Sequence, residues 1–281
     1  FQQATVLGAA GNVAQTGLVQ GQAVQVSAGG DLAVNNAQSA SSLTLSAGTS
    51  GVGNLSVNGL VSAAQAITAT AFGNVVVANG GKLAAGSTLG IGALNDIAVS
   101  GAVESVGDMT LNAQLGSLNA TGGINSGGAL TVTTGLDLSL GASTTSVGDM
   151  TLSAGRDATL NGTLVGGGNG LIIAGQDILG PGTQSFASAA VLNTQRDISL
   201  TGLLQANSIQ ATAGNNATLH DMTSATTLAV AANANAGGGD VAVTGTANAG
   251  GAVTLTAARD VLVQGSLGSG STLGITAQRN V

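Results

Sequence analysis

The sequence predicts an all-β chain, a right-handed parallel β-helix of about 13 coils with repeats of about 20 residues. Three observations lead there. A short phrase recurs along the whole chain at a near-constant interval. Within each repeat, apolar residues alternate with small or polar ones at period two, and no helical period appears. The side chains are small: 47 of 281 residues are Gly, and the aromatics are Phe1, Phe72 and Phe186. A narrow coil has room for Val, Leu, Ile and Ala but not for Trp.

Each repeat opens on an anchor residue. The anchors are Asn12, Asp31, Asn54, Asn74, Asp96, Ser117, Asp137, Asp157, Asp177, Asp197, Asn216, Asp240, Asp260 and Asn280, with a mean spacing of about 20.6 residues. The position after the anchor is apolar in every repeat, from Val13 and Leu32 to Val261 and Val281. Three after the anchor, Val34, Val57, Val77, Val99, Leu140, Leu160, Leu200 and Val263 continue the pattern, and Gln15 and Gly180 break it. Small or polar residues such as Ala33, Ser56 and Ser199 stand between. This is a strand with one buried face.

Five after the anchor comes a bend, filled by Gly17, Gly59, Gly101, Gly122, Gly162, Gly182, Gly202, Gly245 and Gly265, or by Asn36, Asn79 and Asp221; only Ala142 departs. These residue types tolerate positive φ, so the expectation is one left-handed residue per coil. An isolated inward residue follows, for example Val61, Val103, Ile124, Leu164 or Leu204. A second alternating run closes the repeat, as in Met109-Thr110-Leu111-Asn112-Ala113 and Val253-Thr254-Leu255-Thr256-Ala257.

One such repeat buries too little to fold alone. Stacked on its neighbours it forms an axial core of aliphatic ladders, with the backbone paired above and below. Leucine-rich repeats have a similar length, but they carry a helical segment that is missing here. Parallel crossovers are right-handed, which sets the expected hand. At about 4.8 Å per coil, 13 coils give a rod of roughly 60 Å. The repeat runs through residues 1–281 without a linker, so the chain reads as a single repeat domain. It begins Phe1-Gln2-Gln3, ends Arg279-Asn280-Val281, and is expected to be a fragment of something longer.

Composition excludes several function classes. A net charge of −7 argues against a nucleic-acid footprint. The longest uninterrupted apolar run is Leu228 to Ala232, far short of the roughly 20 residues of a membrane-spanning helix. There is no Cys for disulfides or thiolate metal sites. Collagen is excluded by the single Pro and the lack of a three-residue period.

The phrases Gly155-Arg156-Asp157-Ala158-Thr159-Leu160-Asn161-Gly162 and Asp240 through Ala257 resemble the repeat of filamentous haemagglutinin. More broadly, they resemble the large exoproteins of two-partner secretion, which include adhesins, haemolysins and contact-dependent growth-inhibition proteins. The resemblance covers essentially the whole chain. It implies a right-handed β-helical shaft, secreted to the surface of a Gram-negative bacterium through a partner outer-membrane barrel. Adhesion to a host or bacterial receptor or glycan, through regions outside the chain, is the leading role it implies. A stalk that delivers a contact-dependent toxin is the alternative.

The candidate chemistry is sparse. Asp31, Asp96, Asp137, Asp157, Asp177, Asp197, Asp240 and Asp260 all lie on anchors. A calcium ladder is one reading, but Asn replaces Asp at Asn12, Asn54, Asn74, Asn216 and Asn280, so a column of capping side chains fits better. Stacked carboxylates repel, and Arg156, Arg196, Arg259 and Arg279, each just before an anchor, are expected to pair with that column across coils. Asp108 and Asp149 share the phrase Ser-Val-Gly-Asp-Met-Thr-Leu. As a glycosidase or lyase pair they would sit two coils apart with no sugar-stacking aromatic, so they read as repeated turn residues.

His220 beside Asp221 lacks an evident nucleophile and reads as a surface His. Gly166-Gly167-Gly168 and Gly237-Gly238-Gly239 lack the Lys-Ser/Thr of a phosphate loop. The pairs Thr68/Thr70, Thr131/Thr133 and Thr254/Thr256 suggest an ice-binding face, but Gly90/Gly92 and Ala229/Ala231 break the column. The longest intervals place insertions near Thr49–Gly53 and Asn233–Gly239; a tolerated insertion is the commoner explanation, and partner contacts are the functional one. Pro181, beside Gly180, marks an expected loss of ladder pairing. The reading is therefore a non-enzymatic structural module with no catalytic residue, metal or cofactor. Exposed ladder edges invite end-to-end association.

Overall fold

The computed structural model describes residues 3–233 and 238–281. Among them there are 36 strands and no helix. Every pairing within the two compact units, Phe1–Val147 and Gly148–Val281, is parallel. Each unit is a β-solenoid, and together they contain about 13 turns of about 20 residues.

Most turns have three strands; in others the first two are continuous, as in Leu32–Ser39 and Ile198–Ala206. In the first unit, one turn runs through Ile97–Val99, Ala102–Ser105 and Met109–Ala113. In the second, one runs through Ile178–Gly180, Gln184–Phe186 and Ala189–Thr194. The isolated inward residue of the sequence pattern thus belongs to a short strand, as Val103, Ile124 and Leu164 do. Register is in step from turn to turn: Val75, Ile97, Leu118 and Leu138 align, as do Ile67, Leu89, Met109 and Leu130. Because side chains alternate faces, a one-residue slip would expose a whole column.

The core is the sum of these columns. Val99, Val103 and Leu111 are fully buried in the first unit, and Leu160, Leu204 and Leu255 in the second. Val263 is only half-buried in its turn. The last position of the longest strand is nearly always Ala, as at Ala71, Ala93, Ala113, Ala154 and Ala174, because the chain turns a tight corner there. Gln15, an exception in the sequence, is buried and satisfied by neighbouring backbone. Its Nε2 donates to the Asn36 carbonyl at 3.1 Å, and its Oε1 accepts the Asn35 N–H at 3.0 Å.

The glycine bend needs a correction. Among the described residues, positive φ occurs at Gly48, Gly51, Gly80, Gly180 and Gly239, and none of these lies in the bend column. The column is glycine for a different reason. A Cβ on Gly122 would meet the Gly101 carbonyl, one on Gly202 the Gly182 carbonyl, and one on Gly265 the Gly245 carbonyl. Backbone stacks directly on backbone at this corner, so the demand is for space rather than for handedness.

The loop expected at Thr49–Gly53 is present, with Gly48 at φ 74° and Gly51 at φ 134° and Val52 exposed. The other expected loop, Asn233–Gly239, lies partly outside the described residues, as does Gly237 of its glycine cluster. At Pro181 the ladder thins as expected: Ile178–Gly180 meets the turn before it only at Ala158↔Ile178 and Thr159↔Leu179.

Candidate functional site

The anchors sit at the corner between the longest strand and the first short strand, where the chain leaves regular pairing and a backbone N–H needs an acceptor. In the first unit, the side chains of Asn12, Asp31 and Asn54 accept the N–H of the following anchor, each at 2.8 Å. Asn74 and Asp96 continue at 3.0 and 2.8 Å, and the Ser117 hydroxyl accepts from Asp137 at 3.2 Å. In the second unit the chain runs from Asp157 to Asp177 at 3.1 Å, Asp177 to Asp197 at 3.0 Å, and Asp197 to Asn216 at 2.9 Å. Asn216 and Asp240 take the next two anchors, each at 3.2 Å. The capping expected from sequence is therefore present, but the N–H belongs to the next turn. The column staples one turn to another.

Asp108 and Asp149 do the same at another corner, accepting the N–H of Ala129 at 2.8 Å and of Asn169 at 2.7 Å. They lie in different units. Asp221 accepts the Thr246 N–H at 2.8 Å, and Asn36 the Leu60 N–H at 3.2 Å. This explains why Asp and Asn alternate freely: one acceptor oxygen is what the position requires.

Arg196, Arg259 and Arg279 pair one turn back. Arg196 reaches Asp177 at 3.2 Å, Arg259 Nε donates to Asp240 at 3.0 Å, and Arg279 Nε donates to Asp260 at 2.9 Å. The Arg279 hydrogen bond draws the Asp260 carboxyl from 3.8 down to about 2, partial burial opposes it, and Asn280 adds to the lowering. Arg279 is raised in return. An ion pair off this column joins Lys82 to Glu104 at 2.7 Å.

A third device escaped the sequence reading. Ser39, Ser126 and Ser224 are buried at the corner before the longest strand. The Ser126 hydroxyl lies between the Ala129 carbonyl at 2.9 Å and the Gly107 carbonyl of the preceding turn at 3.1 Å. Ser224 lies likewise between Thr227 and Asn207, at 2.8 and 3.0 Å. A serine recurring irregularly at this column, as at Ser39, Ser105, Ser126, Ser146 and Ser224, was the available signal, but nothing in the sequence marks these hydroxyls as buried.

His220 faces outward, half-buried. Its Nδ1 is 3.0 Å from the Thr244 hydroxyl, and its Nε2 is 3.7 Å from Asp221. The adjacent amides are engaged, Gly245 N–H with the His220 carbonyl and Thr246 N–H with Asp221. Threonine, imidazole and carboxylate thus meet without a free N–H pair to stabilise an oxyanion. Among the described residues, no group of three or more His, Cys, Asp or Glu is placed to hold a metal ion.

The outer face of the longest strands shows one surface feature. Gly90 and Gly92 stand in register between Thr68/Thr70 and Thr110/Asn112. At Gly92 the missing side chain opens a shallow groove of about 350 Å³, bordered by Ser46, Thr70, Asn112, Gln114 and Phe72. Phe72 is 57% exposed. Gly92, one of the residues that interrupt the threonine column, lines this groove.

No protein-family model, curated protein or solved structure matches the chain.

Proposed function

We propose that this chain is a structural shaft segment of a large bacterial adhesin, exported by two-partner secretion and displayed at the cell surface. One observation carries the reading: the polar side chains of the corners are used turn after turn to join neighbouring turns. Asp31, Asp96, Asp108, Asp149 and Asp221 are each bound to a backbone N–H of the following turn. An enzyme would draw such groups together around a substrate. Here they are dispersed at regular intervals, as suits a spacer. The repeat phrases resembling filamentous haemagglutinin supply the secretion route and the adhesive role.

Stacking also suggests how export proceeds. Each turn presents acceptors for the next, so turns that form outside the cell hold the chain there and bias its movement outward without nucleotide hydrolysis. The partner barrel conducts the unfolded chain. Distal regions contact the receptor.

The test is made in the full-length gene product in its own bacterium. Removing one register-matched turn, residues 157–176, should leave secretion intact and shorten the displayed shaft by about 4.8 Å. Replacing Leu140 and Leu160 with Asp should reduce the secreted amount. Normal secretion of the double Asp variant, or glycan cleavage by the purified chain, would overturn the proposal.

A further inference from the structure

One turn of the second unit keeps the anchor and arginine contacts of its neighbours at Asp177 but departs from them along its first two strands. Gly180 stands where its partner Leu200 fills the core, at φ 138°. Pro181 follows and has no N–H to give. Gln184 is fully buried, in register between Leu164 and Leu204. Its Nε2 donates to the Gly182 carbonyl at 2.6 Å, while its Oε1 has no hydrogen-bond partner. Pairing is short on both sides: two residues link Ile178–Gly180 to the turn before, and two link Gln184–Phe186 to the turn after.

Each feature lowers the work of local opening. A buried acceptor without a donor loses its hydration and gains nothing in return. Opening restores water to it. Fewer ladder bonds and a missing core side chain act in the same direction, and segments of this kind open well before a fold as a whole. We infer that residues 178–186 are a built-in opening point, a turn that unpairs reversibly while the flanking turns stay closed. Under tension this turn extends before the turns that flank it. Such an opening point follows from the fold and does not rest on the shaft reading.

Hydrogen exchange of the 281-residue chain under native conditions tests it. The amides of Ile178–Gly180 and Gln184–Phe186 should exchange at least tenfold faster than those of 198–200 and 204–206. Gln184→Leu makes the aliphatic column continuous from Leu164 to Leu204 and should remove most of that difference. Gln205→Leu, on the exposed face of the next turn, should not change it. Equal protection in the two turns would overturn the inference. So would fast exchange that Gln184→Leu leaves unaltered, because the buried acceptor would then not be the cause.

Discussion

The ring of Phe186 occupies the space that a side chain on Gly170 would fill: a Cβ at Gly170 would fall among the ring carbons. Gly170 lies in the inward column between Met150 and Ala190, and Phe186 is buried. The largest core side chain in the second unit is thus accommodated by the smallest residue in a neighbouring column. Phe186→Ala should leave a cavity and destabilise by about 3–5 kcal/mol. Gly170→Ala should destabilise by about 1–3 kcal/mol through overpacking. The two changes together should cost less than their sum, as measured by denaturant midpoints. Additivity would show that the residues are not coupled.

The anchor column requires an acceptor and not a charge. Asp96→Asn should change stability by less than about 0.5 kcal/mol, since Asn54 and Asn74 already serve in the same column. Asp96→Ala removes the acceptor for the Ser117 N–H and should cost about 1 kcal/mol. Thermal unfolding of the two variants distinguishes the roles.

The cross-turn arginines should contribute little. Arg196 is half-exposed where it meets Asp177. Arg196→Ala should therefore cost less than about 1 kcal/mol, and the difference from the parent should shrink in high salt. A larger loss that salt leaves unchanged would point to packing instead.

The bend glycines should differ from one another. A Cβ on Gly122 meets the Gly101 carbonyl, whereas a Cβ on Gly17 meets nothing within 4 Å. Gly122→Ala should destabilise by about 1–3 kcal/mol, and Gly17→Ala by less than about 0.5 kcal/mol. Equal effects at both sites would show that contact with the neighbouring carbonyl is not what selects glycine there.

Asp260 carries a pH dependence of defined sign. Its carboxyl is held at about 2 in the folded chain, below the ordinary 3.8, by Arg279. The ion pair therefore stabilises above pH 3.8 and is lost as the pH falls through about 2. NMR titration of the Asp260 carboxyl should show this low midpoint, and Arg279→Ala should return it toward 3.8.

Turn length, alternation and the identity of the core columns were legible in the residues alone. They follow from local chemistry repeated at a constant interval: Val75, Ile97, Leu118 and Leu138 announce one ladder without reference to anything distant. The anchors and the arginine pairing were legible too, because charges recurring at one phase of a repeat must stack. What each corner is for emerges only from the folded contacts. The bend is glycine because the carbonyl of a neighbouring turn lies against it. Ser126 is buried because its hydroxyl serves the preceding turn. Gln184 leaves one oxygen without a partner because its neighbours in the column are Leu164 and Leu204. Those demands come from residues about 20 positions away, and a contact across turns leaves no mark on the local pattern of either partner.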